Sequence, residues 1–214
     1  MKKAEEFFTP EERERIRAAV AEAEGGTSGE IATMVVDASD SYREAEILGA
    51  VLLSGLLAVV AAVAIHHVTI WSYIPLVILL YFPSRYLFRL VPPLKLPFAG
   101  RRRVAEAVRE RAVRAFYEQG LYRTRQETGI LVFISLLEHK VWILGDRGIN
   151  ERIDPRFWQE LAARLAQGLR EGRACEALCA VVAGCGAELS RHFPRRADDL
   201  NELRDEILTE RPIP

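Results

Sequence analysis

The most prominent pattern in the chain is a long apolar run that no formal charge interrupts. Residues 47–82 contain no Lys, Arg, Asp or Glu. Within this stretch, residues 47–65 form an apolar run whose most polar member is Ser54. As a helix, that run is about 28 Å long, close to the hydrocarbon thickness of a bilayer. Because a chain of 214 residues is too short to surround such a helix with a soluble core, the run predicts a membrane span.

A second apolar stretch, at about 70–91, follows after only four residues. It contains Pro75 and Pro83, each of which removes a backbone donor, so we expect a kinked or tilted helix. Arg85 and Arg89 lie near its end, where long cationic side chains reach towards the head-group region. The two stretches and the following exit therefore predict a transmembrane helical hairpin over residues 47–98.

Charge is distributed unevenly along the chain, although the formal net charge is only −1. Residues 1–46 carry six basic and twelve acidic side chains, whereas residues 83–125 carry eleven basic and three acidic ones. The segment between the two spans has no Lys or Arg. By the positive-inside rule, we expect both soluble parts to face the cytoplasm. The N-terminal sequence lacks the features of a signal peptide, because Glu5 and Glu6 follow the first lysines in place of an apolar run.

The basic residues after the second span have two interpretations. Arg101, Arg102 and Arg103 hold the domain against anionic lipid, act as a positive-inside stop signal, or do both. A nucleic-acid partner is disfavoured because the cluster lies next to the membrane segment and lacks interleaved aromatic residues for stacking. The predicted membrane-surface residues are Arg85, Arg89, Arg101, Arg102 and Arg103.

Outside the hairpin, the hydrophobic spacing alternates between helical and strand periods. Thr9 and Pro10 start a helix that ends at Gly25. Strands are predicted at 30–37, 130–136 and 140–144, and helices at 103–119, 154–167 and 174–192. Only three residues separate the last two strands, which predicts an antiparallel pair. This order predicts an α/β fold with helices on a small mixed sheet.

Several short motifs resemble the TPM domain, a domain of thylakoid-lumen photosystem-repair proteins and of many bacterial membrane proteins. The motifs are residues 26–31 (GTSGEI), 120–124 (GLYRT), 128–135 (TGILVFIS), 138–141 (EHKV), 145–149 (GDRGI) and the ending at 192–203. The resemblance extends over about residues 8–206. Within the family, the chain is most similar to a bacterial subgroup with a membrane hairpin inserted after the first strand.

The resemblance implies an α/β/α sandwich around a mixed four-stranded sheet, interrupted by the two-helix hairpin. The first part of the domain would be residues 1–46 and the remainder residues 99–194, followed by a C-terminal tail at 195–214. It also implies a multi-pass protein of the bacterial cytoplasmic (inner) membrane.

Four acidic residues are candidates for a metal site. Asp37 and Asp40 follow the first predicted strand, Glu127 precedes the second, and Asp146 ends the third. Ligands gather at strand ends in open α/β sheets, and oxygen donors on several loops suit calcium. The alternative is that these residues have no role in ligand binding and are turn formers or solvated charges. Near Asp146, Gly148 is predicted to supply a positive φ angle in a turn.

The sequence and the resemblance together support two hypotheses about function, an accessory protein and an enzyme. Some members of the TPM family bind calcium and have weak acid phosphatase activity, while others are accessory subunits or repair factors. Because the sequence offers scattered acids and no nucleophile–base constellation, we favour a scaffold or accessory module that binds a membrane protein or complex over an enzyme. The alternative is a calcium-dependent, phosphatase-like hydrolase. Cys175, Cys179 and Cys185 are an odd number in an apolar context, which favours reduced thiols over disulfides.

Overall fold

The computed structural model describes residues 3–65, 69–124, 126–195 and 206–209. Helices account for most of this part of the chain. They are α1 (Pro10–Glu24), α2 (Arg43–Ala64), α3 (Ile70–Leu90), α4 (Leu96–Ala99), α5 (Arg101–Glu118), α6 (Arg147–Asn150), α7 (Pro155–Arg170) and α8 (Ala174–His192). The strands are β1 (Glu30–Val36), β2 (Gly129–Ser135), β3 (Lys140–Gly145) and β4 (Leu208–Thr209).

The chain divides into two compact units. One comprises Met1–Ser39 and Ala107–Pro214, and the other is Asp40–Glu106. We call the first the domain unit and the second the hairpin unit. The hairpin unit contains α2, α3 and α4.

The domain unit is built on one mixed four-stranded sheet with the order β3-β2-β1-β4. β2 is parallel to β1 and antiparallel to β3, as the short β2–β3 connection predicts. β4 pairs in parallel with Met34 and Val35 of β1. The segment expected to be a tail after residue 194 therefore contributes the fourth strand.

Helices cover both faces of this sheet, which explains why every residue of β1 and β2 is buried. Ile31 and Val35 point to one face, where α1, α7 and α8 complete a core with side chains such as Leu165 and Leu189. The alternate residues point to the other face and pack against α5. They are Ala32, Met34, Val36, Leu131 and Phe133. The predicted α/β/α layering is thus confirmed.

Local capping explains why the helix boundaries follow the sequence. Thr9 accepts a hydrogen bond from the Glu12 backbone N–H and Glu12 accepts one from that of Thr9, a complete capping box for α1. Asp154 caps α7 by accepting from the Arg156 backbone N–H. Gly120 follows α5 with a φ of 73°.

The prediction of a positive φ at Gly148 is wrong, because Gly148 lies inside the short helix α6. The reason for a glycine at this position is steric. A Cβ atom at this position would lie 2.6 Å from the carbonyl oxygen of Gln126 and 2.8 Å from that of Glu127. Glycine is needed there for a close backbone approach.

The hairpin unit contains the two predicted apolar helices. α2 and α3 are each long and apolar enough to cross a membrane, on length and composition alone. The bounds of α2 extend four residues further towards the N-terminus than the predicted span, and the additional turn includes Glu46.

Candidate functional site

Of the acidic residues predicted to bind a metal, three belong to the domain unit, and the sheet separates one of them from the other two. Asp37 follows β1, while Glu127 precedes the parallel strand β2 and Asp146 ends the antiparallel strand β3. Glu127 and Asp146 therefore lie at one end of the sheet and Asp37 at the other. Seven residues of strand separate the two ends by roughly 20 Å. Asp37 does not share an end of the sheet with the other two, because β3 runs antiparallel and brings its carboxyl end to the amino ends of β1 and β2.

The two aspartates after β1 have structural partners. Asp37 Oδ1 accepts a hydrogen bond from the backbone N–H of Ala4 at 2.5 Å, which ties the N-terminal segment to this end of the sheet. In the hairpin unit, Asp40 Oδ2 accepts from Arg103 Nη2 at 2.6 Å. Asp40 Oδ1 accepts from the backbone N–H of Tyr42 at 3.3 Å. These are the contacts that turn-forming aspartates make.

Asp146 and Glu127 do come together with Arg147. Asp146 Oδ1 accepts from the backbone N–H of Arg147 at 2.7 Å and so caps α6. Asp146 Oδ2 is buried and has no hydrogen-bond partner within the described residues. Arg147 Nε donates a hydrogen bond to Glu151 Oε1 at 3.0 Å. This bond, together with the negative charges of Glu151 and Glu127, raises the pKa of Arg147 above its usual range. Asp146 and Arg147 also line a cleft of about 480 Å³ with Phe116 and Tyr117. Nowhere in the described ranges do three or more His, Cys, Asp or Glu side chains form a group fit to hold a metal.

A polar network that sequence analysis did not single out closes the opposite end of the sheet. The buried carboxylate of Glu138 accepts hydrogen bonds from the Ser135 hydroxyl and, at 2.9 Å, from the Ser39 backbone N–H. The Ser39 hydroxyl in turn donates to that of Ser135 at 2.8 Å. Because the carboxylate is satisfied by these donors, the network holds the β2–β3 turn to the end of β1.

The hairpin unit contains a second missed residue, Glu46, which organises three cations. Its carboxylate lies 3.1 Å from Arg85 Nε, 2.9 Å from Arg89 Nε and 2.9 Å from Lys95 Nζ. We call Glu46, Arg85, Arg89 and Lys95 the Glu46 cluster. Arg85 and Arg89 were predicted from sequence, but as separate membrane-surface side chains. The sequence does contain a signal for this cluster. Glu46 and Arg85 are the first charged residues on either side of the charge-free stretch, and a helical hairpin brings the two ends of that stretch together.

The remaining predicted basic residues lie at the start of α5. Arg103 pairs with Asp40, as described above. Arg102 is almost fully exposed and pairs with Glu106 one helical turn further along. Arg101 is also exposed.

The domain unit also has an apolar groove along its edge strand. β3 lies at the edge of the described sheet, and all six of its residues line a groove of about 520 Å³ against α7. The α7 side contributes small side chains at Ala162, Ala163 and Ala166, together with the buried Trp158. Lys140 and Arg170 add positive charge to the lining, while the Glu138 carboxylate is already hydrogen-bonded within the domain. Edge strands present unpaired backbone N–H and C=O groups, so the groove offers both apolar and main-chain contacts.

Comparisons with known proteins agree with this architecture. Residues 101–188 match the family model of the TPM domain. The NMR structure of the BA42 protein from the psychrophilic bacterium Bizionia argentinensis superimposes with a TM-score of 0.61 at 21% sequence identity. The match covers 98% of this chain and 100% of that chain. At this identity, the likeness shows the fold. No curated protein matches the chain.

Proposed function

Because the chain carries a TPM domain, we propose that it is a membrane-anchored TPM-domain protein that acts as a scaffold or accessory module for a membrane protein or complex. The hairpin unit supplies the anchor and the domain unit supplies the binding surface. The proposal has two parts, anchorage and partner binding, and each has its own test.

The exposure of large apolar side chains carries the proposal. In the described part of the chain, 24 large hydrophobic residues are exposed, and 22 of them fall between Ile47 and Phe98. The other two are Tyr117 and Tyr122. Soluble proteins rarely expose a contiguous apolar surface of this extent, whereas a bilayer requires one.

The buried face of α2 supports the same conclusion. Apart from Glu46, its buried residues are all small: Ala45, Gly49, Ala50, Ser54, Ala58 and Ala62. Small residues at a helix contact let two backbones approach closely, which is typical of helix pairs in membranes. A buried helix of a soluble core would instead direct its large side chains inwards.

We further propose that both ends of the hairpin lie on the cytoplasmic side. The segment between α2 and α3 has no Lys or Arg, whereas the segment after α3 is strongly basic. The test introduces one cysteine at Thr69, beside that segment, or at Ala18, which is exposed on α1. A membrane-impermeant maleimide should label Thr69→Cys in intact cells and Ala18→Cys only after lysis. The opposite pattern would reverse the orientation, and recovery of the full chain in the soluble fraction would contradict anchorage.

For partner binding, we propose that the groove between β3 and α7 receives an extended segment of the partner. A strand is the element that satisfies the open edge of β3, and its apolar side chains would fill the space above Ala163 and Ala166. The charge of Lys140 and Arg170 favours a segment that also carries acidic residues. Ala166→Trp fills the groove and should abolish recovery of the partner after cross-linking in cells. Ala18→Trp, on exposed α1, is the control and should leave it unchanged.

A divalent-metal-dependent phosphatase is the second candidate, and one observation favours it. Asp146 Oδ2 is a buried carboxylate oxygen without a partner in the described structure, and Glu127 lies near the same loop. Two carboxylates are fewer than the six to eight oxygen ligands that calcium takes. Calorimetric titration of Ca²⁺ into the full chain in detergent tests this function. Binding that disappears in Asp146→Asn would support it, while absence of heat with the folded protein would remove it.

A further inference from the structure

The Glu46 cluster carries more positive charge than its single carboxylate neutralises. Three cations share one Glu46 side chain, which leaves a formal charge of +2. Lys95 is nearly buried and also donates to the Ser41 backbone carbonyl at 3.3 Å, so it joins the exit segment to the start of α2. One cation would suffice to neutralise Glu46. The two arginines therefore need another explanation.

Both arginines contact Glu46 through the inner nitrogen of the guanidinium, and Arg89 is the more exposed of the two. Arg85 and Arg89 each donate to Glu46 through Nε. Arg85 also interacts with the Tyr81 side chain. For Arg89, the described residues provide no hydrogen bond or ion pair other than that with Glu46, and its side chain is 60% exposed. The two Nη groups of a guanidinium form a planar fork that matches two oxygens of a phosphate.

The side chains beside these arginines are apolar and exposed. Tyr86 and Leu90 each follow one of the two arginines on the same turns of α3, and both are exposed. A ligand that contacts both sets needs an anionic head and an apolar body. An anionic phospholipid has this chemistry, and the end of a membrane-spanning helix is where its phosphate lies.

We propose that the Glu46 cluster is a binding site for the phosphate of an anionic phospholipid. Arg89 is the main donor, Arg85 assists it, and Glu46 is a positioning residue that holds both guanidiniums by their Nε atoms. The inference rests on the proposed membrane anchorage and adds a specific lipid site to it.

The experiment measures lipid binding to the full chain purified in non-ionic detergent, by native mass spectrometry. We expect phosphatidylglycerol to bind and phosphatidylcholine to bind more weakly. Arg89→Gln should weaken phosphatidylglycerol binding by about tenfold, the effect of losing a hydrogen bond to a charged group. Arg89→Lys, which keeps the charge and loses the fork, should show a smaller loss.

Arg102→Gln is the matched control, because it removes the same charge from an exposed residue outside the cluster. Equal binding of the two lipids, or an equal effect of Arg89→Gln and Arg102→Gln, would overturn the proposal. Inorganic phosphate that competes as well as the lipid would assign the site to a free anion and also overturn it. Circular dichroism checks that each variant retains its helix content. The Arg89→Gln variant should remain in the membrane fraction. If the wild-type chain itself is not found in the membrane fraction, the proposed function is contradicted.

Discussion

The core of the domain unit and the buried face of α2 in the hairpin unit differ in the size of their side chains. In the domain unit, the interior consists of large residues such as Phe133, Leu165 and Leu189, all fully buried. In the hairpin unit, α2 buries small residues and exposes Leu, Ile and Val along its other faces. The difference is the one that the proposed anchorage requires, because water rewards burial of large apolar side chains, whereas lipid does not.

The two units also differ in the partners that they give to a buried carboxylate. In the domain unit, the buried carboxylate of Glu138 is satisfied by hydroxyl and backbone donors. The hairpin unit satisfies Glu46 with three cations. Near the hydrocarbon region an unpaired carboxylate would be costly, and ion pairing is the usual remedy.

The largest expected effect comes from the same truncation made once in each unit. Leu165→Ala removes a fully buried side chain of α7 and should lower the free energy of unfolding of the domain by about 2–5 kcal/mol. Leu56→Ala, on the exposed surface of α2, should change the free energy of unfolding of the hairpin unit by no more than about 0.5 kcal/mol. Denaturant unfolding of the full chain in detergent measures both, with the fluorescence of Trp142 and Trp158 reporting the domain unit and circular dichroism reporting the helices of the hairpin unit. An equal loss for Leu56→Ala would mean that α2 packs its large side chains as a soluble core does.

The next effect is electrostatic and tests the contrast between the two carboxylates. Glu46→Gln leaves three cations without their counter-charge, so we expect a loss of about 1–3 kcal/mol in hairpin stability. Salt screens repulsion between the cations, so raising the ionic strength should recover part of the loss in thermal unfolding experiments. Glu106→Gln, which removes a carboxylate from an exposed pair with Arg102, is the control and should have little effect. If Glu46→Gln is as stable as wild type, the cluster does not hold the hairpin.

Much of the fold could be predicted from sequence because its signals are local. The capping box at Thr9 and the Asp154–Pro155 start are readable within a few residues, and they fix the starts of α1 and α7. β4 could not be predicted this way. Only Leu208 and Thr209 form it, and it exists because they pair with Met34 and Val35, far away in the sequence.

The sites were harder to predict than the fold, for the same physical reason. The rule that ligands gather at strand ends selected Asp37 and Asp146, but the direction of β3 places them at opposite ends of the sheet. Arg85 and Arg89 were found because they interrupt an apolar stretch. Their shared partner Glu46 was missed because the pairing depends on α2 and α3 lying side by side.

A smaller effect concerns the close contact between α2 and α3. A Cβ atom at Gly49 would lie 2.4 Å from Cε1 of Phe88, whose ring is held by an edge-to-face contact with Phe98. Gly49→Ala should therefore cost about 1–3 kcal/mol, reduced by up to about 1 kcal/mol because alanine is the better helix former. Gly55→Ala has more room, with Tyr73 Oη at 3.6 Å, and should be neutral or stabilising. Thermal unfolding of the hairpin in detergent compares them, and two equal results would contradict close packing at Gly49.

The smallest effect is confined to the domain unit and appears only at high pH. Burial among apolar side chains of α8 raises the pKa of the Cys185 thiol from 9.0 to about 12. The folded state therefore favours the neutral thiol. Its contribution to stability is complete below pH 9 and is lost as the pH rises from 9 towards 12, because only the unfolded chain ionises there. One pH unit above 9, the loss should be about 1 kcal/mol. Cys185→Ala removes this titration, so its stability relative to wild type should rise with pH over that range. A constant difference would mean that Cys185 ionises as readily in the folded domain as in the unfolded chain.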